Sequence, residues 1–170
     1  MTAIIGGLHG AISDDDLRRF SHTNPGWQFE RADDGSLLVS PTSTAGGAKS
    51  GEAYVQLYAH AKRVGGKAFD AATGFKTPAG GVVCPDASWV GAARVALHAQ
   101  ESGFWQVMPD VVIEVASPSD AWPLLKKKID MYAQDGAGYA LAIDPRTRAT
   151  YISGSCPEGL VLDIDAIIDA

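Results

Sequence analysis

Two acidic residues and one lysine interrupt the patterns of the segments that carry them. Glu114 lies in an otherwise apolar run over residues 111–116, where an unpaired ionised carboxylate is costly to bury. Lys128 falls on the apolar stripe of a predicted helix, and Asp86 follows Pro85 in a segment typical of a strand. Polar residues that break a local pattern in this way indicate a functional site.

The neighbours of Glu114 predict that it faces the interior. Side chains alternate along a strand, so Glu114 shares its face with Val112 and Ala116, which are both apolar. The alternative is a half-exposed strand with Glu114 on the wet face. Two apolar neighbours favour the buried position.

Lys128 is placed by the periodicity of its helix. At about 100° per residue, with Leu124 set at zero, Lys128 lies near 40°, inside an apolar stripe that runs from Met131 near -20° to Ile129 near 140°. Lys126 and Lys127 fall outside it, where solvated charges belong. A lysine on such a stripe either extends to solvent or pairs with a buried anion. The acid in the preceding strand favours the pair.

Two acids and a lysine in these positions predict metal-assisted chemistry. Two carboxylates about 4 Å apart repel by about 4 kcal/mol at an effective dielectric constant of roughly 20. A divalent cation removes that cost, and oxygen ligands favour magnesium or manganese. The cation would activate water and bind a phosphate oxygen, while the lysine would stabilise the developing charge.

The segments around these residues predict an α/β (α+β) fold with a mixed central sheet flanked by helices. Helices are predicted from residue 13, over 52–64, over 120–134 and at the end of the chain, with a less distinct helix over 94–102. Strands are predicted over 35–39, 67–70, 82–90, 109–116, 139–143, 149–153 and 160–162. Residues 41–51 are small and polar, which predicts a loop.

Length and charge limit the classes of function. The 170 residues suffice for one domain, residues 1–170. No stretch approaches the roughly 18 apolar residues of a membrane span, and the first ten residues lack the basic and apolar regions of a signal peptide. We therefore expect a cytoplasmic protein. A net charge of -6 argues against a protein that only coats nucleic acid, and less strongly against a nuclease, because a metal supplies positive charge locally.

Four ordered stretches resemble motifs of one family. They resemble the patterns PDxSWV, PDxVxEVxSPSD, KxxxY and hhDP, and they cover residues 83–90, 108–120, 128–132 and 142–145. The chain is similar to the Uma-two-type family, a bacterial group of restriction-endonuclease-like proteins within the PD-(D/E)XK nuclease superfamily.

The resemblance implies a restriction-endonuclease-like core that hydrolyses phosphodiester bonds of DNA, with Mg²⁺ or Mn²⁺ as cofactor. Asp86 and Glu114 match the acidic motif positions and are the implied metal ligands and catalytic residues. The superfamily lysine is expected where this chain has Ala116, and Lys128 takes its place. Cleavage of two strands favours a homodimer.

One departure from the family pattern supports an alternative. Related sequences often carry a glutamate or histidine before the first long helix, and residues 42–51 contain neither. Glu52 is the nearest acid and is a candidate accessory ligand. Without that acid, the chain could be a catalytically inactive nuclease-fold module that binds nucleic acid or protein. The same loop resembles a P-loop but lacks two of its glycines, at Ser43 and Ala48.

Overall fold

The computed structural model describes residues 3–5, 12–98 and 102–170. They form ten strands: β1 (Ala3–Ile5), β2 (Trp27–Arg31), β3 (Leu37–Pro41), β4 (Lys67–Asp70), β5 (Phe75–Lys76), β6 (Val82–Val83), β7 (Ala87–Val90), β8 (Val111–Val115), β9 (Tyr139–Asp144) and β10 (Ala149–Gly154). They also form five helices: α1 (Asp14–Thr23), α2 (Thr44–Val64), α3 (Ala92–His98), α4 (Trp122–Gln134) and α5 (Ile164–Asp169).

The predicted mixed sheet is present, in the order β10-β9-β8-β7-β4. Strands β8 and β9 are parallel and are connected through α4, while the other pairs are antiparallel. Helix α4 packs on one face through Leu125, Ile129 and Tyr132. Helices α2 and α5 cover the other face, so the apolar strands β8 and β9 are buried on both sides.

A second, antiparallel sheet has the order β1-β3-β2-β6-β5. The sequence analysis identified β3 within it but not β2. Helix α1 begins at a capping box in which Ser13 and Asp16 bond each other's backbone, and its Leu17 packs against Leu37, Val39 and Val82 of this sheet. The second sheet therefore has its own small core.

The predicted strand over residues 82–90 is divided between the two sheets. Strand β6 belongs to the second sheet and β7 to the mixed sheet. Pro85 lies between them, and a proline has no amide hydrogen for a strand ladder. The prediction of one continuous strand was wrong, and Asp86 lies where the chain crosses from one sheet to the other.

Helix α2 begins earlier than predicted. Residues 44–51 are helical, because Ser43 accepts a hydrogen bond from the Gly46 amide and caps the first turn. The predicted loop therefore ends at Ser43. Lys49 lies inside the helix, and its ammonium bonds the carbonyls of Ile168 and Ala170, so the resemblance to a P-loop has no structural counterpart.

The remaining differences lie at the ends of elements. Residues 160–162 form no strand in the described structure, whereas the terminal helix is present as α5. The predicted helix over 94–102 corresponds to α3, and its residues 99–101 lie outside the described residues. Most of the N-terminal segment assessed for a signal peptide also lies outside them. Among the described helices, none combines the length and apolar character that a bilayer span requires.

Candidate active site

Asp86 is fixed to the strand that carries Glu114. Its Oδ2 accepts a hydrogen bond from the Val115 amide at 2.7 Å. The bond joins the segment before β7 to the end of β8, one residue beyond Glu114. The structure therefore brings the two predicted acids together.

Glu114 is buried, with 7% of its surface exposed. It lies on the α4 side of the sheet with Val112 and Ala116, as the alternation predicted. The Tyr132 hydroxyl donates to Glu114 Oε1 at 2.6 Å. Lys128 and Tyr132 lie one turn apart on α4, which allows both side chains to reach the same carboxylate.

Lys128 pairs with buried acids, as predicted. Its Nζ lies 3.0 Å from Glu114 Oε1 and 3.3 Å from Oε1 of a second acid, Glu30. The buried face of α4 is formed by Leu125, Ile129 and Tyr132, which all lie in the predicted stripe, whereas Leu124, near its other side, is exposed. Lys128 lies at the edge of that face, with 28% of its side chain exposed.

Glu30 is a site residue that the sequence analysis missed. It lies on β2 and is 8% exposed, and its Oε1 accepts a hydrogen bond from the Cys84 amide at 2.6 Å. The signal that could have located β2 is the alternation of apolar Trp27 and Phe29 with polar Gln28 and Glu30. That same alternation makes Glu30 resemble a solvent-facing residue, whereas the polar side of β2 faces the site.

Glu52, the candidate accessory ligand, is not brought to this site. Its neighbour Ala53 packs on the face of the mixed sheet that carries Ile113, opposite to Glu114. The Glu52 carboxylate accepts from Gln56 Nε2 at 2.9 Å, and Gln56 in turn bonds the backbone of Asp163. Because α2 begins at Thr44, Glu52 lies two turns inside a helix, on the side of the C-terminal segment.

The electrostatics of the cluster follow from burial and from an excess of acids. Burial, together with the charge of Glu114, raises the pKa of Asp86 to about 7. Burial raises the pKa of Glu114 as well, although Lys128 opposes that change. Burial alone would lower the pKa of Lys128, but the charges of Glu114 and Glu30 raise it well above its usual value. Three acids therefore share one ammonium group.

The donor set suits a hard divalent cation with few protein ligands. Within the described ranges, no three His, Cys, Asp or Glu side chains converge as a ready metal cage. Mg²⁺ characteristically binds through one or two carboxylates and retains several waters. The carboxylates of Asp86 and Glu114 meet that requirement. Burial and the charge of Glu114 raise the pKa of Asp86, and a cation would favour the ionised form of both acids.

Comparisons with known proteins identify the fold and the family of the chain. A crystal structure described as a putative nuclease belonging to DUF820, from Anabaena variabilis ATCC 29413, has the same fold. The TM-score is 0.67 at 17% sequence identity, over 90% of this chain and 97% of that chain. No curated protein matches the sequence. The profile of the Uma2 family, described as "putative restriction endonuclease", matches residues 14–155, and the chain therefore belongs to that family.

Proposed function

We propose that this protein is a divalent-metal-dependent endonuclease that hydrolyses phosphodiester bonds of DNA. The observation that carries the proposal is the buried pairing of Lys128 with Glu114, beside Asp86 at the junction of two sheets. Membership of a family described as "putative restriction endonuclease" supports the reaction class. The fold shared with a nuclease-like structure is consistent with it.

Each residue has a role that its contacts allow. Asp86 and Glu114 would hold Mg²⁺ or Mn²⁺, which supplies Lewis-acid polarisation of a phosphate oxygen and a nucleophilic water. Lys128 would donate to the phosphate oxygens as negative charge develops on them. Tyr132 holds Glu114 through its hydroxyl, so that the carboxylate keeps its orientation.

A plasmid assay tests the proposal. Supercoiled DNA is incubated with the protein in Mg²⁺ or Mn²⁺, and nicked and linear products are followed on gels. We expect cleavage by the wild type that EDTA abolishes and that Asp86→Asn and Glu114→Gln both lose. Glu158→Gln, which changes an exposed acid, is the matched control and should cut normally. Cleavage that persists in Glu114→Gln would contradict the assignment.

An inactive nuclease-fold module that binds nucleic acid or protein is the second candidate. The position of Glu52 away from the cluster favours it, because the acid expected before the first long helix is then missing from the site. Fluorescence anisotropy with labelled DNA separates the two candidates. Metal-independent binding of DNA without cleavage would support the module, whereas metal-dependent turnover supports the enzyme.

We further propose that the protein acts in the cytoplasm. We also propose that it forms a homodimer, because two symmetric sites suit the cutting of two strands. Strands β4 and β10 end the mixed sheet and are the described edges on which a second copy could pair. Analytical ultracentrifugation at micromolar concentration should give twice the mass of the chain. A monomer at all concentrations would contradict the dimer. It would not contradict the endonuclease proposal, because a monomer with one site can still nick one strand.

A further inference from the structure

Glu30 comes from a different sheet than the predicted site residues, yet its carboxylate is directed into their cluster. It is 8% exposed, and a buried ionised carboxylate is destabilising unless polar partners compensate for its lost hydration. Two kinds of partner are present. One is the backbone of Cys84 and the other is the Lys128 ammonium.

The first contact holds the segment that leads to Asp86. The Cys84 amide donates to Glu30 Oε1 at 2.6 Å, and Gln28 Nε2 donates to the Cys84 carbonyl at 2.9 Å. Two neighbouring side chains on one face of β2 thus hold both backbone groups of Cys84. Cys84 precedes Asp86 by two residues, with Pro85 between them, so the clamp fixes the backbone from which Asp86 projects.

The second contact concerns Lys128. Its Nζ lies 3.3 Å and 3.4 Å from the two oxygens of Glu30, in addition to the 3.0 Å contact with Glu114. A cation bound by Glu114 would neutralise much of the charge that attracts the lysine and would repel its ammonium. Glu30 would then be the remaining acid that holds Lys128 in the site.

We infer, building on the function proposed above, that Glu30 is a positioning residue that keeps the Lys128 ammonium and the Asp86 segment in fixed relation. One carboxylate contacts both, so β2 sets the geometry of a site whose other members lie on the mixed sheet and on α4. This role assigns a function to the second sheet: it supplies the residue that holds the lysine beside a metal-bound acid.

Two substitutions separate the contacts of Glu30. Glu30→Gln retains an oxygen that accepts from Cys84 and removes the charge that holds Lys128. Gln28→Ala removes the other half of the Cys84 clamp and leaves the Lys128 pair intact. Thermal melts of both variants establish that they fold, and NMR of ¹⁵N-labelled protein then follows the Lys128 ammonium protons and the Cys84 amide.

We expect the ammonium protons of Lys128 to exchange about tenfold faster in Glu30→Gln, the change that corresponds to loss of one charge-assisted hydrogen bond. The Cys84 amide should remain protected in that variant. Gln28→Ala removes a bond to the Cys84 carbonyl but none of the amide, so it should leave the Lys128 exchange rate unchanged. In the cleavage assay, Glu30→Gln should lower kcat and leave KM for DNA nearly unchanged.

Wild-type exchange rates for Lys128 in Glu30→Gln would overturn the inference, as would wild-type kcat in that variant. The NMR measurements require no catalytic activity. If the wild type cuts no DNA, the endonuclease proposal fails, while the exchange rates still decide whether Glu30 holds Lys128 and the Cys84 segment.

Discussion

The ammonium of Lys128 lies 3.0 Å from Oε1 of Glu114 and joins helix α4 to the buried strand β8. The Tyr132 hydroxyl, one turn along the same helix, bonds the same oxygen. Both contacts oppose the effect of burial, which raises the pKa of Glu114. They therefore favour the ionised carboxylate that the proposed metal site requires.

Replacement of Lys128 by methionine should abolish DNA cleavage. The sequence pattern predicted that the fold would tolerate Lys128→Met. The structure adds a cost, because Glu30 and Glu114 lose their shared counter-charge, and we expect the free energy of unfolding to fall by roughly 2 kcal/mol. Lys127→Met, at an exposed position of the same helix, is the control and should retain activity. Full cleavage by Lys128→Met would show that the lysine only covers apolar surface.

Tyr132→Phe tests the hydroxyl that bonds Glu114. Loss of this donor should lower the free energy of unfolding by about 1–2 kcal/mol, because the bond is buried and made to a charged group. The hydroxyl lowers the pKa of Glu114, so the pH midpoint of cleavage should move upward in the variant. Tyr151→Phe is the matched control, since its hydroxyl donates to Asp130 outside the site. An unchanged pH profile in Tyr132→Phe would contradict the role given to this bond.

Asp86→Asn should stabilise the protein at alkaline pH while removing its activity. Folding raises the pKa of Asp86 from 3.8 to about 7. Between about pH 4 and pH 7 this carboxyl is therefore ionised in the unfolded chain and protonated in the folded protein, so the free energy of unfolding falls as pH rises through that range. Asparagine retains the acceptor for the Val115 amide without the charge. We expect a gain of about 4 kcal/mol at pH 8 and almost none at pH 4, measured by urea denaturation. An equal gain at both pH values would mean that the carboxyl is not raised in pKa.

His60 should make the fold sensitive to acid. The residue is 1% exposed, and the centre of its ring lies 4.9 Å from that of Trp89 in an edge-on contact. Burial and the charge of Arg63 lower the pKa of His60, and the Gly159 backbone opposes that shift. The unfolded chain takes up the proton near pH 6.5, so stability should fall as pH decreases below that value. His60→Phe should flatten this dependence between pH 5 and 7 in urea titrations, whereas His22→Ala, at an exposed position, should not. A His60→Phe variant with the wild-type slope would exclude this cause.

The parts of the site that the sequence predicted are those where one side chain contradicts a strong local pattern. Glu114 stands out in an apolar strand, and Lys128 stands out on the apolar side of a helix. The first pattern arises because β8 is buried on both faces of the mixed sheet, and the second because one side of α4 packs on that sheet. Asp86 was identified mainly by family resemblance, because a proline–aspartate pair is also typical of a turn.

The remaining features depend on tertiary contacts that leave little local trace. Glu30 follows the regular alternation of β2 and resembles a surface residue, and only the packing of two sheets turns its face inward. The start of α2 was also missed, since Gly46, Gly47 and Gly51 lower helix propensity while the Ser43 cap and the packing of the helix compensate. Pro85 could have indicated the division of residues 82–90, because proline interrupts a strand ladder.

Calorimetric titration with Mn²⁺ tests most directly whether Asp86 and Glu114 form a metal site. We predict that the wild type binds Mn²⁺ at pH 8, and that Asp86→Asn and Glu114→Gln each abolish the binding heat while Glu158→Gln retains it. Equal Mn²⁺ binding by all four proteins, or by none of them, would contradict the account.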